Sequence, residues 1–220
     1  EKEYYWRVKV MDKDFNWSVW AAPQSYIPPT SSLQGYWKLD DGFGPTAADS
    51  SINNNIGTLT GAPGPTWTVG QAAGALSFDG IDDYVSIANE ANFDFAGDFA
   101  VSVWINSAAP QNVWAGVVSK VNSSFDGWSL QFDSTTDKIE FQHESPLGVF
   151  PEAVSNADIP LGTWTHVVGQ VVGTTVELYV NGVLQTATGT MGASRVFNNN
   201  PVWIGSQADD LAEFNGLLDE

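Results

Sequence analysis

The chain has 220 residues, 43% of them hydrophobic, which is enough for one sandwich with a full core and too apolar for a disordered chain. Eight Lys and Arg stand against 26 Asp and Glu, and the net charge of −18 repels phosphate backbones and anionic membranes while favouring divalent cations and solubility. The absence of cysteine excludes disulfides, thiolate zinc sites and cysteine nucleophiles, and no apolar run is long enough to cross a bilayer as a helix.

The first segment is aromatic: Tyr4-Tyr5-Trp6-Arg7-Val8-Lys9-Val10, then Asp12 to Asn16, then Trp17-Ser18-Val19-Trp20. It resembles the last two strands of a fibronectin type III domain, and two strands cannot bury a core alone. Residues 1–27 are therefore expected to be the remnant of a preceding domain in a longer multidomain chain. Residues 28–34 follow as a linker that opens with Pro28-Pro29-Thr30-Ser31-Ser32, polar and stiffened by proline. Residues 35–220 form the main domain.

Within that domain apolar residues alternate with a period of two, which predicts strands with one buried and one solvated face. Phe99, Val101, Val103 and Ile105 point one way, with Ala100, Ser102, Trp104 and Asn106 opposite. Trp128, Leu130 and Phe132 repeat the pattern, as do Ile139 and Phe141, and then Val176, Leu178 and Val180. Asn181-Gly182 between Val176–Val180 and Val183–Thr186 predicts a two-residue type I′ hairpin. Helical periodicity is nearly absent, so the expected class is all-β, two antiparallel sheets packed as a sandwich.

An ordered set of motifs resembles the laminin-G-like, concanavalin A-like jelly-roll family. Gly35-Tyr36-Trp37-Lys38-Leu39-Asp40 is similar to its opening strand, and Ala48-Asp49-Ser50-Ser51 through Leu59 to its Asp-Ser-Ser loop, with Ile52 and Asn54 in place of glycines. Ala75-Leu76-Ser77-Phe78-Asp79-Gly80-Ile81-Asp82-Asp83-Tyr84-Val85 is the most specific match. Trp164-Thr165-His166-Val167-Val168, Leu178-Tyr179-Val180-Asn181-Gly182 and Phe214-Asn215-Gly216-Leu217-Leu218-Asp219-Glu220 follow in the family's order. The family's last strand runs on past Asp-Glu, so the final strand is expected to be truncated here.

The resemblance implies a calcium ion near where the first and last strands meet, which carries over to Asp41, Asp49, Asn55 and Asp219. Calcium takes six to eight hard oxygens from such loops; the competing reading is that Asp49 caps a turn through backbone amides. Gln207, Asp209 and Asp210 are similar in placement to the pentraxins' Gln-Asp calcium loop, without its neighbouring glutamate; an ordinary solvated loop is the alternative. Sugar-binding sites stack pyranose rings on flat aromatics. Trp37, Trp104, Trp128 and Trp164 fall in expected strands and are assigned to the core. Trp67 and Trp114 are flanked by loop residues and are the candidate ligand contacts, together with Gln207, Asp209 and Asp210.

The laminarinase-like glycosidases of this fold carry a Glu-x-Asp-x-Glu triplet on one strand, and the chain has none. His166 lies mid-strand and His143 has no nucleophile beside it, so no catalytic residue is assigned. The expected function is a non-catalytic binding module for carbohydrate or a surface protein, with a structural calcium, at the surface of or outside a bacterial or archaeal cell. The alternatives are a structural unit of a surface layer, filament or adhesin stalk, and an accessory module of a polysaccharide-degrading enzyme. Nucleic acid and membrane insertion are not expected.

Overall fold

The computed structural model describes residues 4–6, 24–26, 33–122, 124, 126–143, 150–191, 195–207 and 212–220. In chain order its strands are β1 (Tyr4–Trp6), β2 (Gln24–Tyr26), β3 (Thr46–Ala47), β4 (Gly57–Thr60), β5 (Thr66–Val69), β6 (Gly74–Asp79), β7 (Tyr84–Ile87), β8 (Phe99–Ser107) and β9 (Gly116–Val121). Then come β10 (Gly127–Phe132), β11 (Ile139–His143), β12 (Glu152–Val154), β13 (Thr165–Val172), β14 (Thr175–Val180), β15 (Val183–Leu184), β16 (Gly189–Thr190), β17 (Val202–Ile204) and β18 (Asn215–Asp219). Among the described residues the helical content is one 3-10 turn, Glu90–Phe93.

β1 and β2 pair antiparallel, Tyr4 opposite Tyr26. The Trp17–Trp20 stretch expected as the second fibronectin-like strand lies outside the described residues, as does Arg7–Val10. The other strands form two antiparallel sheets of eight. One runs β12-β11-β10-β9-β17-β7-β4-β3; the other runs β15-β14-β13-β8-β18-β6-β5, with β16 beside β14. The fold is thus the all-β sandwich that the alternation predicts and the jelly roll that the resemblance implies.

The core lies between the sheets. Val85, Leu130, Phe141, Val202 and Ile204 from the first face Leu76, Phe78, Ile105, Val167 and Leu178 from the second, all with little or no exposure. The layers close tightly at Gly169, where a Cβ would stand 2.3 Å from a ring carbon of Phe141, so only glycine fits beneath that ring. A lysine enters this layer. Lys120 Nζ, 1% exposed, pairs with Asp94 at 2.6 Å and Glu90 at 2.9 Å and donates to the Asn198 carbonyl, tying the 3-10 turn to β9.

The hairpin forms where Asn181-Gly182 predicts it, with φ of 49° and 76° and Val180 opposite Val183. The expected opening strand differs. Leu39 has a φ of 55°, and the segment from Gly35 makes one bridge, Trp37 to Asp49, because Tyr36 bonds the Asp49 loop instead of a strand.

Candidate functional site

Side chains alternate across a strand, so the partners of the core residues in the first sheet share its outer face. The strand registers align Thr58, Ser86, Trp203, Ser119, Ser129, Gln142 and Glu152 in one row across seven strands. At the usual spacing between strands this row spans ~29 Å. It carries polar side chains and one indole, and no Lys or Arg.

The centre of the row is buried although it faces away from the core. Ser119, Ser129, Gln131, Glu140 and Gln142 are all under one-tenth exposed. Alternation predicts a solvated face here; β10 and β11 are instead buried on both faces. Buried polar groups must find partners. Gln142 Nε2 donates to Ser129 Oγ at 3.1 Å, Ser129 Oγ donates to Gln131 Oε1 at 2.6 Å, and Gln131 Nε2 donates to Glu140 Oε1 at 2.8 Å. Ser119 Oγ donates to the Ser206 carbonyl. The relay ends on a carboxyl group. Burial raises the Glu140 pKa, the bond from Gln131 opposes this, and the charges of Glu152 and Asp133 add to the rise, to about 7. Near neutral pH the protonated form, which donates as well as accepts a hydrogen bond, is substantially populated.

Beside this floor the face opens. Tyr84 and Trp203 are half-buried and meet edge to face, 6.5 Å between ring centres. Neither belongs to the core cluster, and Trp203 lies across from Ser119. An aromatic shelf next to a polar floor can stack a pyranose or furanose ring and bond its hydroxyls.

The sequence candidates fall elsewhere. Trp67 lies in β5 rather than in a loop; it pairs with Leu76, packs on the core and donates from Nε1 to the Gly44 carbonyl. Gly64-Pro65 closes the turn just before it, so its polar neighbours belong to a strand edge. Trp114 is 45% exposed in a turn with a φ of 57° and stands outside the row. Gln207 is buried, its Nε2 without a hydrogen-bond partner, and its backbone lies against Gly116, the residue across from Gln131. Of the loop candidates among the described residues it alone is brought to this face. Asp209 and Asp210 lie outside the described residues. Trp104, assigned to the core, sits on the outer face of the second sheet, 4.9 Å from His166. Sequence reasoning passed over Glu140, Gln142 and Trp203, whose only signal was polar or aromatic residues at alternate strand positions.

The residues expected to hold calcium do not form one ligand set. Asp49 Oδ1 accepts from the amides of Tyr36 and Ser51, and its Oδ2 from Ser51 Oγ and the Asn55 amide. Burial alone would raise its pKa, but these bonds outweigh it and hold the carboxyl group below its ordinary value. This is the turn cap of the competing reading. Asn55 Oδ1 accepts from Asn89 and Asn92, and Asp41 accepts from the Ala48 amide. Asp219 is buried in β18; Oδ2 accepts from the Ala72 amide, Oδ1 has no partner, and burial raises its pKa. Among the described residues three carboxylates converge only at Asp79, Asp82 and Asp83.

An apolar cavity of ≈ 670 Å³ opens between the sheets, with Phe93, Val103, Trp128, Ile204 and Leu218 among its walls and exposed Asp98, Ala100 and Ser102 at its rim. It sits where β8 runs on from Phe99 to Val103 without β18 beside it, since β18 pairs only with Trp104 to Ser107. Core side chains line its interior, and Gln34, Tyr36, Asp219 and Glu220 stand among the polar residues around it.

Residues 79–220 match the family described as the concanavalin A-like lectin/glucanases superfamily. No curated protein matches the chain. Among solved structures, the binding domain of Paraclostridial Mosquitocidal Protein 1 superposes with a TM-score of 0.69 at 15% identity, covering 86% of this chain and 48% of that one. Domain 4 of AbnA, a GH43 extracellular arabinanase from Geobacillus stearothermophilus, in complex with arabinotriose, gives 0.66 at 20% identity over 85% of this chain and 89% of that one. The binding domain of Botulinum neurotoxin DC, in complex with rat synaptotagmin II, gives 0.64 at 15% identity, covering 86% and 47%. The chain spans about half the length of the two toxin binding domains. At these identities the likeness is one of fold.

Proposed function

Because the chain belongs to the concanavalin A-like lectin/glucanases superfamily, we propose that it is a non-catalytic module that binds a carbohydrate chain along the outer face of its first sheet. The observation that carries this reading is the row from Thr58 to Glu152, in which the half-exposed Trp203 stands between accessible Ser86 and buried Ser119, at the edge of the polar floor. Trp203 and Tyr84 stack on the ring face, and the accessible side chains of Thr58 and Ser86 in the same row bond the hydroxyls. An acidic chain with no basic residue in the row favours a neutral glycan over a sulfated or phosphorylated one.

Domain 4 of the arabinanase, seen with arabinotriose, supports a sugar ligand and the role of accessory module in a polysaccharide-degrading protein acting outside the cell. The toxin domain seen with synaptotagmin supports a second reading, a surface protein as partner.

Titration calorimetry against a panel of neutral oligosaccharides, arabino-oligosaccharides included, tests the proposal. Trp203→Ala weakens binding about tenfold, the worth of one stacked ring, while Trp114→Ala leaves it unchanged. Binding that survives Trp203→Ala and is lost with Trp114→Ala moves the site to the loop, and a panel with no binder at all removes the sugar reading.

A further inference from the structure

The turn between β6 and β7 concentrates charge without neutralising it. Asp79, Asp82 and Asp83 each bring a carboxylate oxygen within 4.8 Å of those of the other two. Among the described residues ion pairs are made by Lys120, with Glu90 and Asp94, and none reaches this turn. Each of the three spends one oxygen on a backbone amide. Asp79 Oδ1 accepts from Ile81 at 2.8 Å, Asp82 Oδ2 from Ala62 at 3.1 Å, and Asp83 Oδ2 from Asp79 at 3.0 Å.

The second oxygen of Asp83 is the anomaly. Asp83 is 3% exposed, and its Oδ1 is buried with no hydrogen-bond partner. An unpaired buried carboxylate oxygen forfeits its hydration with nothing in return. Burial, followed by repulsion from Asp79 and Asp82, raises its pKa despite the bond from the Asp79 amide. The chain closes over the oxygen at Gly61, whose φ is 138°. A Cβ there would stand 2.5 Å from Asp83 Oδ1 and 3.0 Å from the Asp82 carbonyl oxygen. A side-chain oxygen and a main-chain oxygen therefore crowd the same point, beside two more carboxylates.

All of these donors are hard oxygens in an irregular turn, with no nitrogen or sulfur among them. Such a set suits calcium, which accepts flexible geometry and mixes carboxylates with carbonyls and water. We propose that Asp79, Asp82 and Asp83 bind a calcium ion that completes the coordination of Asp83 Oδ1 and fastens the Gly61–Gly64 loop to the β6–β7 turn. The site is distinct from the carbohydrate face and stands or falls without it.

Thermal unfolding in chelator and in millimolar calcium, with no glycan present, tests it. Calcium raises the midpoint by several degrees, since a ligand of the folded state stabilises by mass action. Asp82→Asn and Asp83→Asn lose that rise, whereas Asp49→Asn and Asp219→Asn keep it. Asp83→Asn also raises the midpoint in chelator, because it removes an uncompensated buried charge. If Asp83→Asn does not fold, Asp82→Asn decides, as its side chain is half-buried and holds the loop through one amide bond. A wild-type midpoint indifferent to calcium overturns the proposal, as does a rise that survives Asp82→Asn or disappears only with Asp219→Asn.

Discussion

The two outer faces of the sandwich carry the same chemistry at different depths. On the first sheet Gln131 donates to Glu140 at 2.8 Å, and on the second Gln170 donates to Glu177 at 2.6 Å. Both pairs sit on adjacent antiparallel strands, directly across from each other, on the face opposite the core. Glu140 is 6% exposed, while Gln170 and Glu177 are half-exposed. The second sheet's outer face, with Ser102 Oγ 2.9 Å from His166 Nε2 and Trp104 beside it, is an ordinary wetted face. Depth alone separates the two pairs: burial closes the first into a relay of mutually bonded side chains, while the second stays open to water.

The largest test replaces the two carboxylates in turn. The Glu140 pKa stands at about 7 against an ordinary 4.5, so the native state holds its proton where the unfolded chain has released it. Stability from this group is complete below pH 4.5 and is lost as the pH rises through 7, by roughly 3 kcal/mol in all. Glu140→Gln keeps an acceptor for Gln131 and removes the charge. It is expected to stabilise the protein at pH 8 by a comparable amount. Glu177→Gln stays within about 0.5 kcal/mol of wild type. Denaturant titrations at pH 5 and pH 8 check both, and equal effects of the two substitutions would erase the distinction between the faces.

The amides give the next contrast. Gln142→Ala leaves Ser129 Oγ without its donor in a buried site, at a cost of about 1–2 kcal/mol. Gln170→Ala, made where water can replace the lost bond, costs a few tenths of a kcal/mol at most. The same unfolding measurements at one pH decide it. A large loss from Gln170→Ala would show the second face to be as closed as the first.

Sequence alternation identified the strands of both faces equally well, and could not rank them. Ser129 and Gln131 read like Ser102 and Asn106, because a period of two reports which residues share a face and not what lies over that face. The Asn181-Gly182 hairpin was legible because its two residues carry the φ values it needs. Trp67 reads as a loop residue from its Gly-Pro-Thr neighbours, whereas β5 begins at Thr66, just before it. The Asp79–Asp83 motif stood out in the sequence, but what makes it a candidate ion site, the approach of Gly61 to Asp83 Oδ1, joins residues in two different loops and leaves no local trace. The same holds for Lys120, whose partners lie 26 and 30 residues away along the numbered chain.

The smallest effect has the opposite sign and so sharpens the comparison most cleanly. Burial lowers the His166 pKa, so the native state binds this proton less readily than the unfolded chain does. Its contribution is present above the ordinary histidine range, near pH 6.5, and is lost as the pH falls through and below it. In the wild type this gentle rise with pH is hidden under the steeper fall that Glu140 imposes between pH 4.5 and 7. Glu140→Gln is expected to unmask it, leaving stability that increases slightly from pH 5 to pH 7, and His166→Gln in that background is expected to flatten the remaining slope. A slope that persists in the double variant would place the titrating group on neither face, and the division into a closed polar floor and an open solvated one would have to be drawn elsewhere.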